Sequence, residues 1–187
     1  MPAHSVATLL GTTLLGLLTA ASLRADQQDP ALEGLFSQLR QAEDATVAAP
    51  IEAEIWQRWS SHSDPALQTA MLQGIRLMNA GDLQAALDLY TRLIEAAPDF
   101  AEAWNKRATL QFLLGNYAAS ELDIRKTLAL EPFHFGALSG RGLVFAAQGN
   151  YEQAREALNA ALEVHPTMEA VVANLRELEA LLRQRAR

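Results

Sequence analysis

The chain contains no cysteine, so it can form neither a disulfide framework nor a thiolate metal site. Its histidines, His4, His62, His134 and His165, are far apart in sequence and lack the spacing of a metal-binding pair. We expect His134 and His165 to lie in solvated turns. Basic residues are few: 15 Lys and Arg against 22 Asp and Glu give a net charge of −7. An acidic surface argues against a nucleic-acid partner, because phosphate binding needs clustered Lys and Arg.

The sequence also lacks the motifs of common catalytic sites. It has no glycine-rich phosphate loop, no HExxH helix and no nucleophile elbow. The acidic residues that could act as acid or base are interpreted as solvated helix faces and caps: Glu95, Asp99, Glu102, Glu121 and Asp123. We therefore expect no enzymatic activity, no cofactor, no metal and no small-molecule substrate.

Charge is absent from residues 5–23, which carry a compact run of leucines followed by small residues. Residues 1–25 resemble a secretory signal peptide cleaved after Ala25 or Ala21, although no Lys or Arg precedes the apolar run. An uncleaved single-span anchor and an organellar presequence are the alternatives. The segment predicts a periplasmic or secreted protein, or one anchored by its N-terminus in the inner membrane and facing the periplasm.

A repeat of constant length follows. Pro98, Pro132 and Pro166 are 34 residues apart, and each is preceded at 17 residues by a glycine, namely Gly81, Gly115 and Gly149. Each glycine suits the left-handed residue that ends a first helix, and each proline ends a second helix. A period of this length is typical of stacked helix–turn–helix units.

Between these markers the three copies agree in residue type. The eighth position is small in each, as Gly74, Ala108 and Gly142, and so is the twentieth, which lets two antiparallel helices approach closely. These residues resemble the tetratricopeptide repeat pattern. The resemblance implies an all-α, right-handed solenoid of three helix pairs, with repeats at 67–100, 101–134 and 135–168 within a domain of residues 67–187.

Two flanking segments complete the predicted domain organisation. Residues 169–187 form an amphipathic helix that the resemblance identifies as a C-terminal cap. Residues 26–66 are predicted to be a degenerate helical pair that caps the N-terminal end. Asp29-Pro30 begins its first helix, Ala42 to Ala49 is irregular, and Pro50 opens or interrupts its second helix. Trp56 and Trp59 are expected to pack on Leu77 and its neighbours in the first repeat; an exposed partner anchor is the alternative.

The resemblance also implies a concave groove, lined by the first helix of each repeat, in which proteins of this family receive a peptide or helix. We expect nine residues to line it: Met71, Ile75, Met78, Asn105, Thr109, Phe112, Leu113, Ser139 and Leu143. The Lys, Asn and Arg side chains with which family members clamp a C-terminal carboxylate are mostly missing here. An apolar groove of this kind favours an amphipathic helix.

Two functional hypotheses follow. The first is a non-catalytic protein–protein interaction adaptor of the bacterial periplasm or cell envelope that binds an apolar helix or peptide in the groove. The second is a structural subunit of an envelope assembly that self-associates, with the groove filled by its own N-terminal helices. The partner is another protein under the first hypothesis and a further copy of this chain under the second. The sequence leaves its identity and the oligomeric state open.

Overall fold

The computed structural model describes residues 29–185, and within that range the chain forms only helices. Residues 1–25, interpreted above as a signal peptide, lie outside the described range. In chain order the helices are α1 (Ala31–Gln41), α2 (Ala45–Trp59), α3 (Pro65–Asn79), α4 (Leu83–Ala96), α5 (Ala101–Leu113), α6 (Tyr117–Leu130), α7 (Phe135–Ala147), α8 (Tyr151–Val164) and α9 (Glu169–Arg185). Within this range no helix has the length and apolarity that a bilayer crossing requires.

Helices α3 to α8 form the three predicted repeats of a right-handed solenoid. Gly81, Gly115 and Gly149 each have φ of +78°, so a left-handed residue ends the first helix of every repeat, as predicted. The second helices α4, α6 and α8 end two residues before Pro98, Pro132 and Pro166. In every repeat, a glycine thus marks the end of the first helix and a proline the end of the second helix.

The small residues of the repeats lie where the two helices of a pair approach most closely. A Cβ atom added to Gly74 would lie 2.5 Å from the ring of Tyr90, and one added to Gly142 would lie 2.6 Å from Leu158. In the second repeat the Ser120 hydroxyl donates a hydrogen bond to the Ala108 carbonyl at 2.8 Å. The predicted packing of the eighth position against the second helix is therefore confirmed.

The N-terminal segment forms a helical hairpin, α1 and α2, that we call the N-terminal hairpin. Helix α1 begins at Ala31 with Pro30 as its N-cap, one residue later than predicted, and the Asp29 carboxylate accepts the Ala31 amide at 2.8 Å. Helix α2, however, begins at Ala45 rather than at Pro50, because the Asp44 carboxylate accepts the amides of Thr46 and Val47. Pro50 lies inside this helix on its exposed side.

The position predicted for the hairpin is wrong. Helix α2 does not stack on the first repeat, and the apolar cluster around Tyr90 and Leu93 in that repeat contains no residue of α1 or α2. Instead, Leu39, Ile55 and Trp59 form one buried cluster with Phe135 and Val164 of the third repeat. The hairpin folds back across the solenoid because its apolar residues match those at the start of α7 and the end of α8.

Helix α9 covers the other side of the third repeat. Val171 and Leu178 are buried against Ala154, Leu158 and Ala161 of α8. Arg183 and Arg185 lie in its last turn, where a positive charge interacts favourably with the helix dipole. This is the predicted capping helix. The third repeat is consequently covered by both ends of the described chain.

Candidate protein-binding groove

The first helices of the repeats, α3, α5 and α7, define the groove, and the N-terminal hairpin covers part of it. The Trp56 ring lies against Gly136 so closely that a Cβ atom at this glycine would be 2.6 Å away. Lys106 of α5 places its ammonium 5.2 Å from the centre of the same ring. We call this region, formed by Glu102, Lys106, His134 and Gly136, the covered half of the groove.

Trp59 anchors the hairpin to this half. Its ring stacks on the imidazole of His134 with centroids 3.9 Å apart and planes at 10°. Its indole N–H donates to the Glu131 carboxylate at 3.4 Å, a long hydrogen bond between two buried groups. Burial raises the pKa of Glu131, opposed by hydrogen bonds from the Phe133 amide and from Trp59. Trp56 and Trp59 therefore contact the third repeat, and the prediction that they pack on Leu77 is wrong.

Glu102 is the centre of the polar contacts beneath the hairpin. Its carboxylate is fully buried, pairs with Lys106 Nζ at 2.9 Å and receives a hydrogen bond from Asn105 Nδ2 at 2.9 Å. His134 Nε2 lies 2.9 Å from the same carboxylate. Burial favours the neutral acid, but the charge of Lys106 and the His134 hydrogen bond outweigh it and lower the pKa of Glu102 to about 2. The carboxylate is thus ionised, with both hydrogen-bond contacts at Oε2 and the Lys106 ion pair at Oε1.

A second His–Glu contact lies at the edge of the same interface. His165 Nε2, at the end of the third repeat, is 3.2 Å from Glu52 Oε2 on α2. His165 is buried, while Glu52 keeps part of its side chain in solvent. This contact joins residues 113 positions apart in the sequence. It ties the middle of α2 to the loop that follows α8.

Several residues expected in solvent are buried by these contacts. His134 and His165 are 0% and 2% exposed, because the hairpin covers the turns in which they were predicted to be solvated. Glu102 is enclosed for the same reason. Asp123 is buried too, since both of its oxygens accept hydrogen bonds of 2.8 Å from Arg107. The interpretation of these residues as solvated faces is wrong, and it fails because long-range partners were not visible in the sequence.

Next to the covered half, a cavity of about 180 Å³ opens between α5 and α7. We call it the open half of the groove. Five of the predicted groove residues line it: Asn105, Thr109, Phe112, Ser139 and Leu143. The remaining lining residues are small or apolar, and none of the ten carries a charge: Ala108, Ser120, Ile124, Gly136 and Gly140. This half is suited to an uncharged, apolar ligand surface.

The other four predicted residues lie outside this cavity. Leu113 is 56% exposed at the end of α5 and is free to contact a partner. Ile75 and Met78 are half-buried against the core of the first repeat. Met71 is 0% exposed within that core, so its prediction as a groove-lining residue is wrong. It belongs to a buried cluster with residues of α4 and α5, among them Tyr90 and Leu110.

The residues that shape the covered half were missed as functional residues. Gly136 was the available signal, since its groove position holds Gln68 in the first repeat and Glu102 in the second. A glycine at a groove position where the other repeats have a long side chain indicates that another group occupies that space. Trp56 is that group, but its sequence distance from Gly136 concealed the pairing. Within residues 29–185, no three carboxylate or imidazole groups converge as metal ligands.

With this geometry described, comparisons with known proteins identify the family. The family model described as tetratricopeptide repeat matches residues 71–126 and 114–169. A TPR repeat-containing protein of Rhizobium etli is 37% identical over 135 residues, which is 72% of this chain and 66% of that relative. The human SGT1 homolog is 37% identical over 75 residues, 40% of this chain and 20% of its own length. The chain belongs to the tetratricopeptide repeat family, and it spans less than two thirds of the length of these relatives.

Solved structures share the same fold. The first TPR domain of Spaghetti (RPAP3), bound to the HSP90 peptide SRMEEVD, superimposes with a TM-score of 0.60 at 26% identity and covers 62% of this chain and 92% of that domain. The Sgt2 TPR domain of Aspergillus fumigatus superimposes with a TM-score of 0.62 at 21% identity and covers 66% and 83%. At this lower identity the second likeness shows the fold alone. The predicted all-α solenoid is confirmed.

Proposed function

We propose that the chain is a non-catalytic protein–protein interaction adaptor of the bacterial periplasm or cell envelope that binds an apolar helix or peptide of another protein in the open half of the groove. The observation that carries this proposal is the uncharged cavity between α5 and α7, flanked by exposed leucines. Leu143 is 37% exposed at its rim, and Leu113 is 56% exposed nearby. Apolar side chains of a partner would be removed from water there.

Family membership supports a binding function, and the covered half restricts the ligand. A TPR domain with a similar fold is bound to an acidic HSP90 peptide. In this chain Lys106 already pairs with Glu102, and the amide of Asn105 donates to the same carboxylate. These groups have little capacity left for a peptide carboxylate. An apolar segment fits the open half better than an acidic tail.

The location is supported by the uncharged residues 5–23 and the small residues that follow them. Fractionation of cells that express the chain naturally, followed by N-terminal sequencing, tests it. A periplasmic protein beginning at residue 26 or 22 is expected. Recovery from the cytosol with Met1 intact would contradict the proposed location without affecting the groove.

Site-specific photocrosslinking tests the groove. A benzophenone amino acid replaces Thr109 in the cavity or, as control, Ala118, which is exposed on α6. Irradiation in intact cells should yield a defined adduct with one partner protein from position 109 but not from position 118. Leu143→Asp should abolish the adduct, because it places a charge at the apolar rim. An adduct that forms equally from both positions, or that survives Leu143→Asp, would refute binding in the open half.

The alternative is a self-associating structural subunit. One observation favours the part of this hypothesis in which the chain's own N-terminal helices fill the groove, since the N-terminal hairpin occupies the covered half. Trp59 is completely buried within one chain, however, and therefore cannot anchor a second copy while the hairpin is docked. Sedimentation velocity over a range of concentrations distinguishes the two. A stable oligomer that persists at low concentration would support the structural subunit.

A further inference from the structure

A chain of buried polar contacts leads from the open half of the groove to the hairpin. Asn105 lines the cavity and donates from Nδ2 to Glu102 Oε2 at 2.9 Å. The same oxygen is 2.9 Å from His134 Nε2, and the His134 ring stacks on Trp59. All four side chains are at least nine-tenths buried. Water therefore has little access to any link of this chain.

The hydrogen bonds determine which group donates and which accepts in this series of polar contacts. The backbone amide of Ala137 donates to His134 Nδ1 at 3.1 Å and so caps the start of α7. Since Nδ1 accepts this bond, the imidazole proton is on Nε2 and is donated to Glu102. Lys106 engages the other carboxylate oxygen of Glu102 at 2.9 Å. Rotation of any one of these groups would leave a buried donor or acceptor without its partner.

A second, apolar link runs in parallel. Gly136 lines the cavity and also contacts Trp56, whose ring atom lies 2.6 Å from the position of its absent Cβ. Ser139, one turn further along α7, lines the cavity and donates to the Gly136 carbonyl at 3.0 Å. A group packed in the cavity therefore rests against the same turn of α7 that supports Trp56. The cavity and the hairpin share this wall.

We propose that the docked hairpin is part of the binding site: occupancy of the cavity and docking of the hairpin stabilise each other, and Glu102 and His134 are positioning residues that transmit the effect. While the hairpin is docked, the Trp59 ring stacks on His134 and fixes its orientation. His134 in turn orients the Glu102 carboxylate, which accepts the hydrogen bond that positions the Asn105 amide at the cavity wall. If the hairpin detaches, His134 and Glu102 become hydrated and the Asn105 amide is free to reorient. Thermodynamic linkage makes the coupling reciprocal.

The absence of cysteine from the chain makes a direct test practical. Ser139→Cys in the full chain is labelled with N-phenylmaleimide, which places a phenyl group of known structure in the cavity. Amide hydrogen exchange of α2 then measures how often the hairpin detaches. We expect exchange in α2 to slow by about five-fold or more, the lower range of typical coupling between sites. Leu143→Cys, labelled in the same way at the cavity rim, should also slow exchange in α2.

Two matched controls separate coupling from general stabilisation. The same label on Ala118→Cys, exposed on α6, should leave exchange in α2 unchanged. In an Asn105→Ala background, the label at Ser139→Cys should lose most of its effect on exchange in α2. Exchange in α4 should be the same in the labelled and the unlabelled protein. Unchanged or faster exchange in α2 after labelling the cavity would overturn the proposal. A full effect in the Asn105→Ala background would overturn the positioning role of Glu102 and His134.

Discussion

The covered and open halves of the groove lie on the same two helices, α5 and α7, and differ in almost every physical respect. The covered half is polar at its base, with Glu102, Lys106 and His134 joined by short contacts, and two tryptophans enclose it. The open half has an uncharged lining and a leucine at its rim. The two environments meet at Gly136, which contacts Trp56 and also lines the open cavity.

Part of the groove of a repeat protein can therefore be occupied by a segment of its own chain. The buried charges of the covered half are stable only because each has a partner and the hairpin excludes water. The open half has no such requirement and can be empty or occupied.

The largest expected effect comes from Trp59→Ala. This change removes the stack on His134 and the hydrogen bond to Glu131 from the centre of the hairpin interface. Truncation of a fully buried tryptophan typically costs about 3–5 kcal/mol of unfolding free energy. Urea unfolding measures the loss. Trp104→Ala, which removes a partly exposed indole, should cost less than half as much, and equal losses would contradict the central role of the hairpin.

Glu102→Gln should produce a pH-dependent loss. The folded pKa of Glu102, about 2, lies below its ordinary value of 4.5. Its stabilising contribution is therefore present above about pH 4.5 and lost as the pH falls towards 2. At about 1.4 kcal/mol per pH unit, the wild-type chain should lose roughly 3 kcal/mol more than the Gln variant across this range. Unfolding curves at pH 6, 4.5, 3 and 2 measure this, and parallel profiles would refute it.

A pair of glycine substitutions compares the two halves directly. Gly136→Ala should destabilise the fold by about 1–3 kcal/mol, because its Cβ atom would overlap Trp56. Gly140→Ala, one turn along α7, should stabilise it by up to about 1 kcal/mol, because its Cβ atom would meet only Ile124 at 3.9 Å. Thermal unfolding of both variants measures the signs. Stabilisation by Gly136→Ala would mean that Trp56 does not occupy this position.

The smallest effect on stability is expected from Leu143→Asp in the open half. The side chain is 37% exposed at the cavity rim, so its replacement should change the unfolding free energy by less than about 1 kcal/mol. Phe112→Asp is a poorer test, because Phe112 packs 5.6 Å from the Tyr117 ring and contributes to the core. A loss above about 2 kcal/mol for Leu143→Asp would show that the cavity is part of the core.

The solenoid could be predicted from the sequence because its determinants are local. Gly81 and Pro98, and their counterparts in the other repeats, act on turns within a few residues of themselves. The hairpin helices could also be predicted, apart from the start of α2, where Asp44 caps a helix in a stretch predicted to be irregular. Both are properties of short segments, and short segments are what a single sequence reveals.

The arrangement of the hairpin could not be predicted in this way. Residues 26–66 are predicted to cap the N-terminal end of the repeats, but Trp59 donates a hydrogen bond to Glu131 across 72 residues. The same long-range contacts reversed the interpretation of His134 and Glu102, which are polar in sequence and buried in the fold. Asn105, Thr109 and Ser139 line the cavity because groove positions follow from the period of the repeat, and their contact with a partner stays a prediction. The burial of the residues that contact the hairpin could not be predicted from the period of the repeat.

The contact between Glu52 and His165 also has a consequence for the order of events during synthesis. Solenoid repeats contact only their neighbours, so each can form as soon as it has been translated. The hairpin is made first, yet the surface that receives it is completed 113 residues later. Glu131 and Phe135, which contact Trp59, follow it by 72 and 76 residues, so at about 5–20 residues per second roughly 4–15 s pass before they have been synthesised. The hairpin can therefore dock only after Phe135 and Val164 of the third repeat have been synthesised.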